Sequence, residues 1–175
     1  MSLINQKQNG SGGSVLGSVI KWGLFLVLPC YVLDQWTKWL ICRDVDPGTG
    51  FNVIPGFFDI IHMRNTGAAF SLLQGLPVAY RTYFFLGVTI IALGALFIIF
   101  WKEKENSLML KFVISLIIAG AIGNLTDRML YNEVVDFLSF YLGRYRWPTF
   151  NLADTYISLG MAGLVIHTFF MTKKT

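Results

Sequence analysis

"YRTYFFLGVTIIALGALFIIFW", residues 80–101, carries Arg81 near its start and then no charged side chain to its end. The hydrocarbon core of a bilayer is spanned by about 20 predominantly apolar residues in a helix, and this stretch meets that length without interruption. It is read as a membrane span. Working outward, Trp22–Cys42, Met109–Leu130 and Phe150–Met171 repeat the pattern, which gives four spans and returns both chain ends to one side. Composition points the same way. Of 175 residues, 54% are hydrophobic and only 14% charged, whereas a soluble domain needs about a quarter charged residues to cover its core.

The formal charge of +4 invites a nucleic-acid reading, but the basic residues are scattered and no aromatic-basic recognition motif occurs. No nucleic-acid partner is expected. Lysines concentrate instead at Lys7 and Lys21, at Lys102, Lys104 and Lys111, and at Lys173 and Lys174. Those positions fall on one side of a four-span chain, which by the positive-inside bias is the cytoplasm. Both termini are then cytoplasmic. Arg43, Arg64, Arg81, Arg144 and Arg146 lie on the other side. Residues 1–14 are polar and Gly/Ser-rich, the composition of a flexible tail. A basic start, an apolar run and "VLPC" at residues 27–30 also resemble a secretory signal. Pro29 stands where such a signal has a small residue, and the apolar run continues past Cys30, so Pro29 is read as a bend in the first helix.

Two longer connections face the outside. Residues 43–79 mix β-branched and aromatic residues with Gly and Pro, which predicts short strands followed by an interfacial segment. Residues 131–149 hold "VVDF" and "GRYRWP", with aromatics and arginines suited to the headgroup layer. The fold class expected is therefore a mainly α membrane protein: four transmembrane helices, a small extracytoplasmic β-containing segment and an interfacial loop.

Ionisable residues at membrane depth are costly, and each is read first for function. Asp34 and Lys38 are four apart and share a helix face where they can pair. Asn124 and Asp127 also share a face, and the adjacent Arg128 favours an ionised Asp127 that organises its surroundings. Asp136 differs, because apolar neighbours favour its neutral form. Asp154 opens the last span, where a helix N-terminus favours negative charge, and Asn151 is placed to cap that helix. Spans three and four can bring Asp136 and Asp154 to one outer interface. Two carboxylates whose surroundings push their proton affinities apart suit acid/base chemistry. From these residues alone, proton transport or a scaffold held by ion pairs remains open beside catalysis. His62 and His167 lie in separate segments and no zinc motif occurs, so neither a metal site nor a Ser-His pair is expected. Cys30 and Cys42 are too far apart on one helix to bridge.

"DQWTK", "NTGAAFS", "GNLTDR", "VVDF" and "FNLAD", in this order, resemble the lipoprotein signal peptidases, the bacterial signal peptidase II family. The likeness covers nearly the whole chain after the tail. "AGAIGN", where the family often has two glycines, and a longer N-terminal tail are the departures. The resemblance implies residues 15–175 as one four-helix membrane peptidase domain of the bacterial cytoplasmic (inner) membrane, with an outer segment at about 43–79 and an active-site loop at about 131–149. It implies an aspartyl endopeptidase that cuts prolipoproteins just before a lipobox cysteine already carrying diacylglycerol, near the extracytoplasmic face. Asp136 and Asp154 would be the catalytic pair, with Asp34, Lys38, Asn65, Gly67, Asn124, Asp127, Arg128, Asn151 and Ala153 shaping the site and holding substrate. It also implies contact with membrane lipids, block by the cyclic peptide globomycin, and no metal or organic cofactor. Which aspartate is the base is left open, since the proton belongs to the pair.

Overall fold

A computed structural model of the chain describes residues 17, 20–67, 77–102 and 107–172. The expected tail at 1–14 with Lys7, the stretch 68–76 of the outer segment with Ala68 and Ala69, Lys104, and Lys173 and Lys174 lie outside the described residues. Four long helices carry the chain: α1 (Leu28–Asp44), α2 (Val78–Lys102), α3 (Leu108–Tyr131) and α4 (Leu152–Thr172). Helical residues 20–22 run into α1 through a π-helical stretch, Gly23–Val27. Pro29 explains it, because proline has no N–H to return to the preceding turn and helices absorb such a loss by widening locally. Here the bend expected at Pro29 takes the form of a π turn just ahead of it.

Helices α2, α3 and α4 are each long and apolar enough to cross a membrane. The α-helical part of α1 is 17 residues long and holds Asp34, Lys38, Arg43 and Asp44, and it is not among them. The chain is membrane-embedded, and its outer surface fits that solvent: Phe25 is 76% exposed, Ile91 74% and Phe169 71%. Ser107 caps α3 by accepting from the Leu110 N–H at 3.2 Å, which satisfies one of the free donors of a helix start. At the other end Asn132 turns left-handed at φ 61° and donates to the Arg128 carbonyl, a common way to stop a helix.

Buried on most sides, α3 is the central helix. It meets α4 along a seam of small residues: a side chain at Gly160 would run into Ile117 and the Val113 carbonyl, and one at Gly163 into Val113. Small residues let backbones approach where lipid offers no hydrophobic drive for helix association. Val113 and Ile117 of this seam also pack with Leu96, Phe100, Leu110 and Ile114 as a hydrophobic core.

The two longer connections contribute one antiparallel sheet in the order β1 (Gly50–Ile54), β2 (Phe58–Asn65), β3 (Val134–Leu142), β4 (Tyr145–Arg146). Residues 131–149 thus contain regular structure. "VVDFLSFYL" is rich in the branched and aromatic residues that fill a pleated surface, and β2 supplies its ladder. A bulge between Ile60 and Met63 shifts the register so that Met63 faces Asp136 and Asn65 faces Val134. Bulges re-aim side chains next to sites. Leu138 bridges back to Phe150, which ties the sheet to the start of α4.

Candidate active site

Asp136 lies near the start of β3, between Val135 and Phe137, both buried, and is itself 2% exposed. Burial, together with the nearby Asp154 charge, raises its carboxyl to about 7 against the opposing pull of hydrogen bonds from Asn65 and Asn151 and of the Lys38 charge. Asp154 sits in the first turn of α4. There the Asp154 N–H donates to Asn151 Oδ1 at 2.9 Å while Asp154 Oδ2 accepts from the Asn151 N–H at 3.3 Å. The two residues form the reciprocal box that satisfies free donors at a helix start.

Three asparagines join the acids. Asn151 Nδ2 donates to Asp136 Oδ1 at 2.7 Å and to Asn124 Oδ1 at 3.1 Å. Asn65 Nδ2 reaches Asp136 Oδ2 at 2.9 Å, and Asn124 Nδ2 reaches Asp154 Oδ1 at 2.7 Å. Every oxygen of both carboxyls therefore has a neutral N–H donor, and neither acid has a salt bridge to a cation among the described residues. Neutral donors orient a carboxyl without forcing it to stay ionised, as an adjacent cation would. This arrangement can hold one proton between two acids.

Behind the asparagines lies a buried ion cluster. Lys38 Nζ is 2.9 Å from Asp34 Oδ2, 2.9 Å from Asp127 Oδ2 and 3.1 Å from Asn124 Oδ1. Each of its acids then grips one backbone N–H. Asp34 Oδ1 accepts from Ala153 at 2.9 Å, and Asp127 Oδ2 accepts from Val135 at 3.1 Å. Ala153 immediately precedes Asp154, and Val135 immediately precedes Asp136. One lysine thus anchors both strands of chain that present the acids.

A family model described as signal peptidase (SPase) II matches residues 26–170. This chain belongs to the signal peptidase II family. A lipoprotein signal peptidase of Syntrophus aciditrophicus (strain SB) is 45% identical over 145 residues, covering 82% of this chain and 90% of that protein. One from Staphylococcus carnosus (strain TM300) is 39% identical over 152 residues, covering 87% and 92%. Among solved structures, a bacterial membrane enzyme determined by the in meso method at 1.9 Å resolution is similar with a TM-score of 0.73 at 35% identity, over 90% of this chain and 93% of that one. Another such enzyme, at 2.3 Å, gives 0.76 at 33% identity, over 98% and 96%.

Within this signal peptidase II chain, hydrogen bonds and ion pairs bring Asp34, Lys38, Asn65, Asn124, Asp127, Asn151 and Ala153 together around Asp136 and Asp154. Two expectations change in detail. The cation in direct contact with Asp127 is Lys38 from α1, whereas Arg128, on another face of α3, stands over the Phe85 ring at 4.9 Å with the charges of Asp154, Asp136 and Asp127 near it. Gly67 approaches Phe85 rather than an open cleft, since a side chain there would enter that ring, and its φ of +80° favours glycine. Its N–H donates to Asn65 Oδ1 at 2.8 Å, which fixes the asparagine that holds Asp136. His62 is buried structurally, with Nδ1 2.7 Å from the Val45 carbonyl. No group of three or more His, Cys, Asp and Glu among the described residues is placed to hold a metal ion. Gln35 belongs to the site although no role was read for it. Its amide reaches Asp127 Oδ1 at 2.9 Å, Asp34 Oδ2 at 3.2 Å and the Gly123 carbonyl at 3.2 Å.

Proposed function

We propose that Asp136 and Asp154 form the aspartyl dyad with which this signal peptidase II chain removes signal peptides from prolipoproteins. The observation that carries the reading is the convergence of two acids, from β3 and from the first turn of α4, on Asn151, whose side-chain amide donates to Asp136 and whose backbone N–H donates to Asp154, with Asn65 and Asn124 as the other neutral donors. The value of about 7 for Asp136 favours it as the member that holds the proton. Asp154, ionised, takes a proton from a water molecule whose oxygen attacks the scissile carbonyl carbon. Protonated Asp136 hydrogen-bonds the carbonyl oxygen as negative charge develops there. The tetrahedral intermediate then collapses: the C–N bond breaks and the leaving nitrogen gains a proton from the dyad.

The finer reading follows the family. The substrate is a prolipoprotein whose lipobox cysteine carries diacylglycerol, cut just before that cysteine; its acyl chains hold it in the bilayer beside the site. Residues 15–175 form one peptidase domain with four spans in the bacterial cytoplasmic membrane. Both termini are cytoplasmic and the dyad lies near the outer face. Globomycin occupies the same site. Incubating the purified chain in detergent with a diacylglyceryl-modified lipobox peptide, and sequencing the products by mass spectrometry, tests this. A single cut that leaves the lipidated cysteine with a free amino group is expected, suppressed by globomycin. Cleavage at another bond, or equal cleavage of the unlipidated peptide, contradicts it.

A further inference from the structure

We propose that Gln35 is a positioning residue for the Asp136–Asp154 pair, acting through the two carboxylates that hold the backbone immediately before each of them. The inference rests on the dyad reading above. Asp34 and Asp127 present two carboxyls to one directly contacting cation, Lys38, so their oxygens outnumber what that ammonium can serve. Lys38 is already fully engaged: an ammonium has three N–H groups, and its three contacts are Asp34, Asp127 and Asn124. Asp127 Oδ2 takes Lys38 and the Val135 N–H, which leaves Gln35 as the donor to Asp127 Oδ1.

The Gln35 amide has two N–H groups: the shortest contact takes one to Asp127 Oδ1, and the other is shared between Asp34 Oδ2 on its own helix and the Gly123 carbonyl of α3. It supplies donors without adding charge, which a lysine or arginine could not do. The spacing between Asp34 and Asp127 becomes the spacing between the Ala153 and Val135 peptides, and so between the acids that follow them. Gly123 leaves the room for this: a side chain there would stand 2.5 Å from Asp34 Oδ2.

The test uses the full chain with wild type, Gln35→Met, Gln35→Glu and Asp136→Asn in the same peptide-cleavage assay, with thermal unfolding in parallel. Gln35→Met removes the donors at similar volume; kcat should fall by about tenfold or more, with KM changed by less than about threefold, because misplacement of reacting groups is felt in the chemical step. Gln35→Glu adds a carboxyl facing Asp34 and Lys38 on α1 and Asp127 on α3, with Asp136 and Asp154 beyond. When ionised it repels both acids; once protonated it donates one hydrogen bond. Its activity relative to wild type should therefore rise as pH falls from about 8 to about 5.5. Gln35→Met with kcat within about twofold of wild type would overturn the proposal, as would a Gln35→Glu ratio that stays flat with pH, and this second readout decides the matter if Gln35→Met does not fold. Cleavage by Asp136→Asn would instead strike at the dyad itself.

Discussion

Asp136 is held where ionising it is unfavourable, and pH should expose this. Its folded value of about 7 stands above the roughly 4 of an unfolded aspartate. Between those values the folded chain binds a proton that the unfolded chain has released, so the stability from this group is full below about pH 4 and is lost as pH rises through about 7. With the proposed dyad, activity has the same upper limit, because that pair needs one proton. The profile of kcat/KM against pH should fall on its basic side with a midpoint near 7; activity that holds level to about pH 9 contradicts a proton kept on Asp136. Much at this scale was legible beforehand. Apolar flanks marked Asp136, and the Asn151–Asp154 spacing marked a helix start. The family resemblance named the donors, but their contacts were not legible in the residues themselves, because Asn65 lies 71 residues from Asp136 and Asp34 lies 119 from Ala153, and nothing local announces such pairings.

Among the elements, α1 works as a strut for the site through a buried ion pair. Asp34 and Lys38, one turn apart, are buried against α3 and the start of α4, where charge must be paired to be tolerated. Lys38→Met should lower the unfolding temperature sharply, by the equivalent of about 3–5 kcal/mol, because it leaves two buried carboxylates without their cation; thermal unfolding in detergent reads it. A change smaller than about 1 kcal/mol would mean that the cluster is solvated and does not clamp the site. The i,i+4 spacing of Asp34 and Lys38 disclosed their pairing, and hydrophobic length disclosed all four helices to within a few residues. The π turn before Pro29 and the strand at Val134–Leu142 were harder to see. The first depends on how a helix accommodates a missing N–H, and the second on a partner strand that ends at Asn65, far back in the chain.

At the scale of the whole molecule, a lipid-exposed helical body carries a small sheet at one end, and the acids lie where the two meet. β3 delivers Asp136 from the sheet side and α4 delivers Asp154 from the helix side, with α3 as the shared wall between them. Composition made the membrane setting readable, and the order of five short motifs made the family readable. What neither contained was the closure of the site, in which Lys38, Gln35 and three asparagines from separate elements fix two carboxyls in one place. Asp136→Asn and Asp154→Asn, each purified and checked for a cooperative unfolding transition, test the central claim most directly in the cleavage assay. Asparagine keeps the shape but can neither hold nor take the proton, so each folded variant should lose about 10³-fold or more in kcat/KM. A folded variant of either kind that cleaves the lipidated peptide at near wild-type rate would contradict the account.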